Sequence, residues 1–210
     1  PVDRILRFDE KENFWEMGDT GPCGPCSELF VDLGAEADPD FKGEPKDGVN
    51  VSDRFREFWN LVFIQYNRDE NGQLHPLPDT HVDTGMGFER IVAIMQGVDS
   101  NYKTDVFKPL LDEIANLTNQ EYVDGGGGVP HRVIADHIRC LTFAIGDGVM
   151  PSNEGRGYVM RRILRRAVLY GKKLGRSSPF IFNLVDIVIN QLGGVFPDVL
   201  PRQDFIKEII

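Results

Sequence analysis

Residues 58–67, FWNLVFIQYN, run into Asn71-Gly72, and the fold class turns on how this stretch is read. Its alternation puts Phe58, Asn60, Val62, Ile64 and Tyr66 on one face of a strand and Trp59, Leu61, Phe63, Gln65 and Asn67 on the other. Asn-Gly supplies the backbone freedom of a tight hairpin turn, so the strand is predicted to fold back antiparallel. Downstream, residues 81–98 (HVDTGMGFERIVAIMQGV) change period. Gly85 and Gly87 precede a helical spacing in Ile91, Ala93, Ile94 and Met95, which predicts strand, tight glycine turn, helix. Upstream, RILRF (4–8) and LFVDL (29–33) have strand composition, whereas DTGPCGPCSE (19–28) is so dense in Gly and Pro that it reads as a loop. Residues 35–53 are polar and rich in turn formers, a surface insertion of low functional content.

From residue 101 onward helical spacing dominates, in 105–118, 131–149, 157–175 and 180–193. Gly125–Gly128 reads as a flexible connector. The fold class is therefore α+β: an antiparallel sheet with flanking helices over residues 1–100, then an all-helical unit over residues 101–210.

The chain has 210 residues and no apolar run near the ~20 that a membrane helix needs. It begins without methionine and stops inside a helical pattern, so it reads as a piece of something longer. Three cysteines leave one over from any pairing and favour a reducing cytoplasm. The net charge of −10 hides an asymmetry: residues 156–176 hold eight Lys/Arg and no acid, leaving 15 bases against 33 acids elsewhere, a net of −18.

Seven features could carry chemistry. Cys23 and Cys26 form a C-x-x-C pair, a metal or redox signal, but a structural zinc needs four ligands and no second pair exists. Glycines 85 and 87 between a strand end and a helix start suit a phosphate site, although no P-loop or dinucleotide fingerprint is present. Arg90 sits where the helix dipole disfavours a cation, so it faces either an anionic ligand or an acid such as Glu89 or Asp83. Asp83 is a partner for a substrate ammonium or a turn and cap aspartate. Asn60, polar on an otherwise apolar face, needs protein, water or ligand to satisfy it; Trp15 is core or substrate lid. Finally, Arg161, Arg162, Arg165 and Arg166 share one side of a helix, with Val159, Met160, Ile163, Leu164, Ala167 and Val168 opposite. Such a face without acids favours phosphate.

Taken together, NFWEMGDTGPCGPCSE (13–28), EFWNLVFIQYNR (57–68), PLPDTHVDTGMGFERI (76–91), SNYKTDVF (100–107) and RVIADHIRCLTFAIGDGVMPSNEGRGYVMRRILRRAV (132–168) resemble, in order, the segments of the alanyl-tRNA synthetase family. That resemblance implies the second half of a class II synthetase core followed by a truncated helical domain that recognises the acceptor stem. It implies ATP and Mg2+, conversion of alanine to alanyl-adenylate with release of pyrophosphate, and transfer to the 3′ end of tRNA(Ala). DTGMGFER resembles the third class II motif, so Gly87 and Arg90 would meet ATP. Asp83 would hold the alanine ammonium, Val62 and Gly85 would leave room for a methyl group, and Asn60 and Trp15 would complete the pocket. Asn153 would read the wobble pair of the acceptor stem, with Arg161, Arg162, Arg165 and Arg166 along the RNA. No bound zinc and no membrane contact are expected. The family's first motif and part of its second would lie upstream, so the 210-residue chain alone is expected to be inactive. The rival reading is a non-catalytic RNA-binding module of the same ancestry.

Overall fold

The structure, a computed structural model, describes residues 2–210. The chain divides into two compact units, Pro1–Asn101 and Tyr102–Ile210.

The first unit is built on a four-stranded antiparallel sheet in the order β1 (Phe14–Glu16), β2 (Gly21–Asp32), β3 (Phe55–Arg68), β4 (Leu74–Met86). The β3–β4 hairpin forms as its turn chemistry dictates. Gly72 takes φ +79°, and the Asp69 carboxylate accepts the backbone N–H of Asn71 at 2.8 Å and of Gln73 at 2.9 Å. Helices α1 (Glu10–Asn13), α2 (Pro45–Gly48) and α3 (Phe88–Met95) flank the sheet.

Three expectations for this unit fail, and a fourth needs qualification. RILRF is not a strand; Val2–Arg4 is a single 3-10 turn and the rest is irregular. The Gly/Pro-dense segment is not a loop: β2 begins at Gly21 and runs through it. The ladder with β3 is interrupted between Cys23 and Cys26, where Pro25 with its missing donor falls, and Gly24 lets β3 approach so closely that a Cβ there would lie 2.0 Å from the Phe63 carbonyl oxygen. Residues 35–53 are mostly exposed, as a surface insertion is, but they are anchored. Phe41 packs edge-on against Phe55 at 5.9 Å, Val49 is buried, and the Ser52 hydroxyl donates to Asp38 at 2.6 Å. The glycines after β4 make no tight turn: Gly85 stays within the strand, and Gly87, at φ −66°, is the N-cap of α3.

In the second unit, α4 (Lys108–Thr118), α5 (Val129–Gly146), α6 (Gly155–Lys173), α7 (Leu184–Leu192) and α8 (Gln203–Ile209) surround one apolar core. α5 is its centre because Ile134, Ala135, Ile138, Leu141, Thr142 and Ile145 recur at three- and four-residue spacing and are all fully buried. Gly125–Gly128 is an ordered 3-10 turn rather than a loose connector; Gly128 is buried, with room for no Cβ against the Val123 carbonyl.

Candidate functional site

The hairpin register assembles one face of the sheet from distant residues. Directly opposed residues in an antiparallel ladder share a face. Asn60 stands opposite Glu28 on β2 and Gly85 on β4; Val62 stands opposite Cys26 and Asp83. Two adjacent rows therefore read Glu28, Asn60, Gly85 and Cys26, Val62, Asp83. Val62 is buried, the Asp83 position is exposed, and a Cβ on Gly85 would meet nothing within 4 Å. Asp83 neither caps α3, whose N-cap is Gly87, nor pairs with any group among the described residues. The Asn60 amide donates to Glu28 at 3.1 Å while its own oxygen is buried without a partner. Trp15 is far from the β4 members of this group. It lies in β1, the opposite edge of the sheet, opposite Gly24, about 14 Å from β4 at the usual strand spacing.

Arg90 is not paired with Glu89 or Asp83. Its guanidinium donates to the Glu57 carbonyl at 2.7 Å and to the Glu57 carboxylate at 3.1 Å, a partner on β3 that short-range reasoning could not supply. Gly87 leaves the space Arg90 occupies, since a Cβ there would lie 3.1 Å from the Arg90 side chain. Acidic groups crowd the same face. Burial, with the charges of Glu57 and Glu12, pushes the Glu28 carboxyl up, and burial, with Glu28 and Glu57, pushes the Cys26 thiol up. A raised thiol is the opposite of what a reactive dithiol needs. Beside these residues is a cavity of about 520 Å³ lined by Glu12, Cys26, Glu28 and Asp32, and by Val49 and Asn50 of the segment read as functionally empty.

The basic helix α6 presents a groove of about 620 Å³ lined by Arg161, Arg162, Arg165, Arg166 and Lys172. No carboxylate is within ion-pair distance of the four arginines among the described residues, although Asp136 on α5 feels the charge of Arg166, whose guanidinium is 3.4 Å from His137. The helix does not separate cleanly into polar and apolar sides. Ala167 is buried in the core with Met160, Ile163 and Leu164 packed against it, while Tyr158, Val159, Val168 and Leu169 stay 42–52% exposed; of the expected apolar side, the roles of Val159 and Val168 are thus not realised. At the N-terminal end, a Cβ on Gly157 would collide with the Ser152 hydroxyl at 2.1 Å. The bare glycine lets the 150–154 loop close on the helix through a bond from the Ser152 N–H to the Gly157 carbonyl at 2.9 Å. That closure sets Asn153 beside Arg161, which donates to its amide oxygen.

The family described as tRNA synthetases class II (A) matches residues 1–210, the whole chain. The chain belongs to this family. Its relatives include proteins named alanine–tRNA ligase from Chlorobium phaeobacteroides (55% identical, 100% of this chain), Chlorobium chlorochromatii (57%, 99%) and Pseudoalteromonas translucida (52%, 100%). The chain spans 23–24% of the length of each.

For a class II synthetase chain, sequence reasoning missed Glu28 and Glu57. Neither stands in a short motif, and each matters only because strand register sets it against Asn60 or Arg90. Class II synthetases use ATP with Mg2+. Among the described residues no three His, Cys, Asp or Glu side chains converge on a metal position. No described helix is long and apolar enough to cross a membrane.

Proposed function

We propose that this chain is the part of an alanine–tRNA ligase that holds alanine on its sheet and the tRNA(Ala) acceptor stem on α6, in a cytoplasmic enzyme. The observation that carries the reading is the open space at Gly85 beside an unpaired Asp83 and the unsatisfied Asn60 oxygen. Two oxygen acceptors next to the open space at Gly85, beside the buried Val62, suit a small amino acid held by its ammonium group. Activation joins an alanine carboxylate oxygen to the α-phosphorus of ATP and releases pyrophosphate. It needs positioning and charge neutralisation rather than a nucleophilic side chain. Arg90 with Gly87 is the element that meets ATP, and the Trp15 indole completes the alanine pocket from β1. Asn153 presents its amide donors to a base edge, its oxygen being taken by Arg161, while Arg161, Arg162, Arg165 and Arg166 run along phosphates. A non-catalytic RNA module would need none of Asn60, Asp83 and Gly85.

The test is alanine-dependent pyrophosphate exchange by the full-length enzyme. Asp83→Asn turns a charge-assisted bond into a neutral one and should raise the alanine KM about tenfold or more with the ATP KM unchanged. Gly85→Ala, whose Cβ meets nothing in the protein, should fold normally and still exclude alanine. Equal effects on both substrates, or unchanged alanine use by both variants, would sink the reading.

A further inference from the structure

We propose that Glu28 is a positioning residue for amino-acid recognition: its carboxylate locks the Asn60 amide so that the amide oxygen faces the substrate ammonium. The inference rests on the reading of the Asn60, Asp83 and Gly85 face as the alanine site. An ionised carboxylate only accepts hydrogen bonds, so the amide must turn its NH2 toward Glu28, and it does so at 3.1 Å. The Asn60 oxygen then points away from Glu28, and it is buried with no partner. Of the buried side-chain atoms of β3 without a partner, Trp59 Nε1, Asn60 Oδ1 and Arg68 Nε, the Asn60 oxygen is the acceptor, and such an open acceptor beside Gly85 marks a position for a donor such as an ammonium. Its surroundings are complementary to a cation. Gly85, directly opposite Asn60, leaves open space, and Asp83 lies on the diagonal, about 7–8 Å away along the backbone, a gap that one ammonium bridges. Were the amide free to rotate, half of its orientations would aim NH2 at the ammonium, a repulsive contact. Glu28 removes that alternative before substrate arrives, which is preorganisation rather than contact.

The experiment measures alanine and ATP KM in the full-length enzyme for Glu28→Ala, Glu28→Met, Glu28→Gln, Asn60→Ala and the Glu28→Ala/Asn60→Ala double variant. Glu28→Met keeps the side-chain length and loses the acceptor, so it substitutes where the smaller alanine variant does not fold. Both acceptor-less variants should raise the alanine KM roughly five- to tenfold, the worth of one hydrogen bond, with the ATP KM and kcat little changed. Glu28→Gln, whose amide oxygen still accepts from Asn60, should stay within about twofold of the unsubstituted enzyme. In the Asn60→Ala background the Glu28 substitution should add nothing, because its only route to the substrate is gone. An unchanged alanine KM in Glu28→Met, an additive double variant, or failure of Glu28→Gln to rescue overturns the proposal. Asp83→Asn separates the two readings: if it weakens alanine while the Glu28 variants do not, the alanine site stands and only the role of Glu28 falls.

Discussion

Arg54 and Asp32 show how a single pair ties β2 to the start of β3. Arg54 Nε donates to one Asp32 oxygen at 2.6 Å and its terminal amine to the other at 2.7 Å, a two-bond fork that holds the Asp32 carboxyl down to about 2. A depressed carboxyl contributes stability that is full above its ordinary value of 3.8 and is lost as pH falls through about 2. Arg54→Gln should therefore lower the melting temperature at neutral pH by only about 1–5 °C, because solvent reaches and screens both groups. Thermal melts of the two proteins should converge as pH falls from about 4 to about 2. A gap that persists at the acid end would mean that Arg54 acts through its packing on the Phe55 ring, 5.1 Å away, instead of through charge. Neither this fork nor the Glu57 partner of Arg90 is visible along the chain, since the members are 22 and 33 residues apart.

At the scale of elements, the arginine face of α6 was legible because four like charges at helical spacing need no tertiary information. What surrounds it was legible only in part. The helix packs through Ala167, with Met160, Ile163 and Leu164 against the same core as periodicity favours, whereas Val159 and Val168 stay exposed at the margins of that face. Replacing Arg161, Arg162, Arg165 and Arg166 with Gln should lower affinity for an acceptor-stem RNA and flatten the salt dependence, by roughly 0.7–0.9 log unit for each phosphate no longer neutralised. The four arginines should not behave alike. Arg165→Gln should change the slope alone, whereas Arg161→Gln releases the Asn153 amide and should also erode preference for the wobble pair, as Asn153→Ala does. RNA titrations at several salt concentrations, with matched G·U and G·C stems, read both effects; identical behaviour of the two single variants counts against the assignment.

For the whole molecule, the two units carry different tasks in the proposed enzyme, so they should fail separately. The 210-residue chain alone should not support alanine-dependent pyrophosphate exchange. It spans about a quarter of the length of its relatives. Absence of one preorganised charge costs ~3–4 kcal/mol of transition-state stabilisation, which suppresses exchange several hundredfold. The same chain should still bind acceptor-stem RNA, because α6 sits within a unit that has its own core. Exchange above background by the isolated chain would overturn the first half, and salt-insensitive RNA binding the second.

What the sequence determined by itself was local and periodic. The alternation of residues 58–67 and the Asn71-Gly72 turn specify a hairpin, the spacing in α5 specifies a buried helix, and the arginine cluster specifies a charged face; each is encoded within one or two turns of chain. Tertiary structure decided everything that depends on register or close approach. Gly24 turns a Gly/Pro-rich segment into an internal strand because β3 needs its missing Cβ, residues 35–53 join the core through Phe41, and Glu28 reaches Asn60 across 32 positions of chain. The physical reason is that strand pairing brings together residues without any sequence period between them, so which carboxylate meets which amide is set by where a ladder slips by a residue, as β2 does between Cys23 and Cys26.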